Sequence, residues 1–141
     1  MNKRKDCFYV IGLMSGTSLD GLDISYVKFT QEHGKWRFES LLNETVDYSE
    51  EWQLNLAEAI LLKESELDKF HTEYGRFLAQ ECKRFIEENQ LIGKVDLIAS
   101  HGHTVFHDPS KGITVQIGAA DKIVEACNVL VINDFRIRDV Q

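Results

Sequence analysis

The chain has 141 residues, 43% of them hydrophobic and 28% charged, a globular balance that excludes disorder across the whole length. Sixteen basic against 23 acidic side chains give a net charge of −7. That excludes general binding to nucleic acid or anionic lipid, although a local basic pocket could still hold a phosphate.

The N-terminal Asn2-Lys3-Arg4-Lys5, followed by apolar Phe8–Met14, has the outline of a secretory leader. The apolar run is only about seven residues, and no clean small-x-small cleavage site follows. Phe8–Met14 reads instead as a buried central strand, apolar at almost every position. Ser15–Asp20 then forms a small, polar, Gly-containing turn. Leu22, Ile24 and Tyr26 alternate with Asp23, Ser25 and Val27 in a period-2 strand. Glu32-His33-Gly34-Lys35 predicts a turn, and Trp36–Val46, carrying Trp36, Phe38 and Leu42, a third strand. These segments make a three-stranded antiparallel meander.

Helical patterning follows. Glu50–Leu62 is amphipathic, with Trp52, Leu54, Leu56, Ala59 and Ile60 available for packing. Ser65 and Asp68 look like the N-terminal capping signature of the next helix. That helix, to about Glu88, places Leu67, Phe70, Tyr74, Phe77, Leu78, Cys82, Phe85 and Ile86 at three- and four-residue steps, a core stripe. Val95–Ala99 predicts a short buried strand ending at Ser100-His101-Gly102-His103-Thr104. Ile113–Ile117 predicts a strand, Ala119–Ala126 a helix, and Val129–Ile132 a strand that opens onto Asn133-Asp134-Phe135-Arg136. The order implies one α/β domain with a mixed sheet, antiparallel first and parallel later. Cys7, Cys82 and Cys127 are odd in number and widely spaced; they read as reduced, packed thiols of a cytoplasmic protein. No stretch approaches the ~20 apolar residues of a membrane span. The chain stops soon after a charge-rich segment with no capping element, which suggests a fragment.

Three segments could carry chemistry. In Gly12-Leu13-Met14-Ser15-Gly16-Thr17-Ser18-Leu19-Asp20-Gly21-Leu22-Asp23 a strand enters a tight turn rich in glycine and hydroxyls. Glycines let backbone approach a phosphate, and successive N–H groups with the Thr17 and Ser18 hydroxyls can donate to it. No lysine completes a Walker sequence, and the competing reading is a plain hairpin turn. Asp20 and Asp23 could hold Mg²⁺ through water or simply suit the turn. In the second segment, His101, His103 and His107 would share one face of an extended strand. They could bind zinc with Asp108, donate to a sugar or phosphate, or be satisfied strand-end histidines. In the third, Asp134 and Arg136, with Arg138 and Asp139 nearby, could grip a sugar hydroxyl and an anionic group, or form a surface ion pair.

Together these segments resemble the anhydro-N-acetylmuramic acid kinase family. The match runs from about Val10 to the last residue through Gly12–Asp23, Ser100-His101-Gly102-His103-Thr104-Val105 with His107 and Pro109, Thr114-Val115-Gln116-Ile117-Gly118, and Asp134-Phe135-Arg136. His103 stands where glutamine is usual in the family. The resemblance implies a two-lobed sugar kinase with a ribonuclease H-like lobe of the actin, hexokinase and Hsp70 type, using ATP and Mg²⁺. It implies that Gly16, Thr17, Ser18, Leu19, Asp20, Gly21, Leu22 and Asp23 form the ATP phosphate loop. It places His101, Gly102, His103, Thr104, Asp134 and Arg136 at the sugar cleft. The catalytic aspartate, adenine pocket and second phosphate loop would lie beyond residue 141. Residues 1–141 would thus be the first lobe, inactive alone and able to pair as a homodimer through exposed apolar surface. Two other readings stand beside it: a zinc hydrolase built on His101, His103 and His107, and a non-catalytic domain that binds a nucleotide or cell-wall sugar.

Overall fold

A computed structural model describes residues 5–141; the basic start at Asn2–Arg4 lies outside the described residues. Three long strands, β1 (Cys7–Ser15), β2 (Gly21–Glu32) and β3 (Lys35–Asp47), form the predicted antiparallel meander. His33 and Gly34, both at positive φ, close the β2–β3 hairpin between Glu32 and Lys35, the backbone twist that a two-residue turn needs.

After α1 (Glu50–Glu58) and α2 (Glu64–Glu88), the strand β4 (Leu97–Asp108) returns beside β1 in parallel. It is followed by β5 (Ile113–Ile117), α3 (Ala120–Cys127) and β6 (Leu130–Ile132). The sheet order is β3-β2-β1-β4-β5, with β6 also on β4. Leu97–Ala99 pairs in parallel with Leu130–Ile132, whereas His103–Asp108 pairs antiparallel with Ile113–Ile117. This mixed sheet, an antiparallel meander followed by the parallel strands β4 and β6 with β5 returning antiparallel on β4, is the arrangement expected of an actin- or hexokinase-like lobe.

Alternation sets the core. Ile11, Leu13, Leu22, Ile24, Tyr26 and Ile98 point to one face of the sheet, where Tyr74, Leu78, Cys82 and Phe85 of α2 and Ile123 of α3 meet them. The stripe on α2 is therefore core, as its spacing predicts. Helices α2 and α3 approach closely at Gly75, where a Cβ would lie 2.6 Å from the Ala119 nitrogen. The Gly118 and Ala119 amides donate to His71 Nδ1 and His71 O at 3.0 and 3.1 Å. On the outer edge Arg84 donates to Glu81, Glu88 and Glu44, tying α2 to β3.

Several expectations need correction. The capping residue belongs to α1, not α2. Ser49 accepts from the Trp52 amide at 3.1 Å, while Lys63 precedes α2 without a side-chain cap and Ser65 and Asp68 sit inside the helix. The first helix stops at Glu58 and tightens into a 3₁₀ turn over Ala59–Leu61. Leu54 and Ile60 are exposed, so only part of its apolar set is used. Trp36, Phe38 and Leu42 of β3 also face solvent. Finally, β4 does not end at Ala99 but runs through the histidines to Asp108.

Candidate active site

The carboxyl ends of β1 and β6 and the middle of β4 meet at one side of the sheet, the usual seat of ligands in sheets with parallel strands. Each end carries one of the three sequence segments.

Ser15, the last residue of β1, is buried, and its hydroxyl lies 2.9 Å from Nδ1 of His103. Tyr48 Oη donates to Ser15 Oγ at 2.7 Å and lies 2.6 Å from Tyr74 Oη. The Tyr74 ring also meets the His103 ring edge-on. Four side chains from four segments thus form one buried polar chain. Burial raises both tyrosine pKa values above the ordinary phenol range. Burial, and secondarily the neighbouring His101, pushes the His103 pKa below the ordinary imidazole value, so the ring favours its neutral form.

His103 reaches Ser15 because β4 is irregular. Leu13 pairs with Ser100 and Ser15 with His103, so β4 carries one extra residue there. Gly102 absorbs it at φ 71°, in the left-handed region. A Cβ on Gly102 would lie 2.4 Å from Ile117 O, so any other residue would clash as well as strain. A second irregularity separates the Thr104 and Phe106 pairings with β5.

These bulges break the shared parity of the histidines. His103 turns into the Ser15 network. His101 Nε2 accepts from Arg136 Nε at 3.3 Å, and His107 Nδ1 lies 2.9 Å from Thr114 Oγ1. Among the described residues no group of three His, Cys, Asp or Glu side chains is placed to hold one metal ion. The one-face histidine cluster behind the hydrolase reading is not assembled.

The turn after Ser15 is narrow. Leu19 N–H donates to Gly16 O at 3.3 Å, and Leu19 takes φ 60°, strained for a branched side chain. Leu19 packs on the core, which leaves Thr17 and Ser18 exposed at the tip. Asp20 is exposed too, and its carbonyl accepts from the Tyr48 amide at 3.2 Å. Gly21 and Leu22 already belong to β2: a Cβ on Gly21 would meet Val46 O at 2.4 Å, and Leu22 is fully buried. Asp23 accepts from Thr45 Oγ1 at 2.6 Å. Within Gly16–Asp23 the turn itself is Gly16–Asp20, and Asp23 stands exposed beyond it on β2 with one carboxylate oxygen held by Thr45.

Around the second and third segments, Gly102 is buried and Thr104 half-buried. Gln116 Nε2 donates to Thr114 Oγ1 at 2.6 Å and reaches Thr104 Oγ1 at 3.4 Å. Arg136 serves His101, while Asp134 is exposed at φ 61° where a 3₁₀ turn begins. The Asp134–Arg136 pair is not among the ion pairs of the described residues.

Sequence reasoning did not find Tyr48 or Tyr74 as members of the site. Tyr74 reads as one more ring in a core stripe, and Tyr48 falls between segments. The available signal was a hydroxyl where phenylalanine would fill a dry core equally well, since a buried phenol requires a partner.

The family model described as anhydro-N-acetylmuramic acid kinase matches residues 8–141. The chain is similar to the protein of that name from Pseudoalteromonas translucida (strain TAC 125), at 34% identity over 90% of this chain and 35% of that protein. It is also similar to those from Caldanaerobacter subterraneus subsp. tengcongensis, at 34% identity over 93% and 36%, and Pseudomonas syringae pv. tomato, at 31% over 94% and 36%. It thus spans about a third of the length of these curated relatives. With nearly the whole chain matched, it belongs to the anhydro-N-acetylmuramic acid kinase family.

Proposed function

We propose that this chain is the N-terminal lobe of a two-lobed, ATP-dependent kinase acting on anhydro-N-acetylmuramic acid. In the proposed reaction, water opens the 1,6-anhydro ring and the freed O6 takes the γ-phosphoryl group, giving N-acetylmuramic acid 6-phosphate and ADP. This chemistry belongs to the recycling of cell-wall peptidoglycan in the cytoplasm. Among the described residues no helix is long and apolar enough to cross a membrane, and the net negative charge gives nucleic acid no general footing.

The supporting observation is the Ser15–His103 hydrogen bond of 2.9 Å. It joins the end of the phosphate-loop strand to the segment assigned to the sugar, so both ligands would meet across one strand end. Gly16–Asp20 would present backbone N–H groups and the Thr17 and Ser18 hydroxyls to the phosphates. His101, Gly102, His103 and Thr104, with Asp134 and Arg136, would border the sugar. When bound with the nucleotide, Mg²⁺ would offset phosphate charge. The exposed Asp20 carboxylate fits a water-mediated hold on it, because Mg²⁺ keeps several waters and takes only one or two protein carboxylates. Asp23 is engaged by Thr45 and fits less well. The carboxylate base that activates water is assigned to the second lobe.

The isolated chain should bind but not turn over. Incubated with Mg-ATP and anhydro-N-acetylmuramic acid, it is expected to give no 6-phosphate by mass spectrometry. In nuclear magnetic resonance titrations, Mg-ATP should move the Gly16–Asp20 amides, and the sugar those of His101–Thr104. Product formed by the chain alone would overturn the half-site; ligand-independent spectra would overturn the site itself.

A further inference from the structure

The buried polar chain has a direction. Tyr48 donates its hydroxyl proton to Ser15 Oγ, so Tyr48 Oη can only accept from Tyr74 in the 2.6 Å contact between them. Ser15 Oγ, already accepting from Tyr48, has a proton of its own to place, and His103 Nδ1 lies 2.9 Å away. If Nδ1 accepts that proton, every hydroxyl in the chain is satisfied once in the same sense. If Nδ1 carried a hydrogen, the Ser15 proton would lose its acceptor at 2.9 Å in a site where Ser15 is 3% and His103 4% exposed, and an unmade buried hydrogen bond costs more than a made one returns.

We infer that the Tyr74→Tyr48→Ser15→Nδ1 relay locks His103 in its Nε2–H form, making His103 a fixed hydrogen-bond donor to an acceptor oxygen of the ligand at this strand end. Ser15, Tyr48 and Tyr74 are then positioning residues for that donor. Burial opposes protonation of the ring, in keeping with a neutral, single-tautomer imidazole. Nε2 has no protein partner among the described hydrogen bonds. Ser100 Oγ, not Nε2, is the fully buried side-chain atom left unpaired among the described residues, so Nε2 keeps an opening to the surface. A glutamine amide would offer the same order of groups, an oxygen to accept from Ser15 and an N–H to donate outward. The lock itself needs no ligand; the sugar as owner of the acceptor oxygen rests on the function proposed above.

The test is the tautomer. Long-range proton–nitrogen correlation spectra of the isotope-labelled chain at neutral pH distinguish Nδ1–H, Nε2–H and imidazolium, with the His103 signals identified by their loss in His103→Gln. The expected result is Nε2–H alone. Ser15→Ala should bring the second tautomer up by several-fold to about tenfold, the worth of one hydrogen bond, whereas Tyr74→Phe should leave the ratio unchanged because Tyr48 can still donate. An Nδ1–H or imidazolium ring in the unmodified chain, or a ratio indifferent to Ser15→Ala, overturns the lock. Binding of anhydro-N-acetylmuramic acid, followed by calorimetry, should survive His103→Gln and fall at least tenfold in His103→Leu. Equal affinity in both variants overturns the donor role. An unmodified chain that shows the lock and binds no sugar overturns only the identity of the acceptor.

Discussion

His103 resists a proton that the unfolded chain would accept. Its pKa lies below the ordinary value of 6.5, first because the ring is buried and then because His101 is close; the other groups facing it, Ser15, Tyr48 and Tyr74, are uncharged hydroxyls. The sign follows from linkage. Well above pH 6.5 both native and unfolded rings are neutral, and native stability is at its full value. As pH falls below that point, the unfolded state binds the proton more readily, and stability is lost until the native ring also titrates. Urea midpoints should therefore drop on going from neutral to mildly acidic pH, and His103→Gln should flatten that slope. An unchanged slope would mean that the ring is not held neutral. The residues of this site were half legible in the sequence. The Gly16–Asp20 turn and the Ser100–Thr104 segment announce themselves by composition, but which hydroxyl meets which imidazole depends on pairings between residues up to 88 positions apart.

At the scale of elements, β4 decides where the histidines point. Alternation predicts one shared face, and alternation fails because two extra residues are spliced into the strand. Gly102 is the hinge of the first bulge, with φ 71° and no room for a Cβ beside Ile117 O. Gly102→Ala should cost roughly 2 kcal/mol or more, combining left-handed strain with displacement of β5. Chemical denaturation would measure this, and the Ser15–His103 contact should loosen with it. A loss below about 0.5 kcal/mol, within the range of an ordinary surface change, would show that the strand can shed its bulge without penalty. The meander and the core stripe of α2 were readable because each follows one period throughout. The bulges, the broken first helix and the shifted helix cap were not, because each is settled by packing against a distant partner.

For the molecule as a whole, the sheet has two unlike faces. One is covered by α1, α2 and α3; the other carries Phe8, Val10, Phe29, Trp36 and Leu97 around a shallow apolar depression. Leu130 is 66% and Phe38 75% exposed. Patches of this kind mark an interaction surface or an aggregation liability. Sedimentation should show the isolated chain self-associating as its concentration rises, and Phe38→Lys with Leu130→Lys should shift it toward monomer. A strictly monomeric chain at high concentration would argue that the face is tolerated bare. Charges along β3, among them Lys35, Arg37, Glu39 and Glu44, interrupt its long free edge and discourage strand-to-strand addition.

The strand that carries the histidines is also supported unequally along its length. From Leu97 to Ala99 it is gripped on both sides, by β1 and β6; from Phe106 to Asp108 it keeps only β5. One half is girder and the other an outrigger, with Gly102 at the joint. Amide hydrogens on the two halves should exchange with solvent at rates set by different openings: those before Gly102 only when the domain unfolds, those after it whenever the two-stranded arm parts. His103 stands at that boundary, anchored to the girder through Ser15 while its neighbours belong to the arm. A ligand seated against the arm could then still it without disturbing the core, and slower exchange confined to residues beyond Gly102 would be its signature.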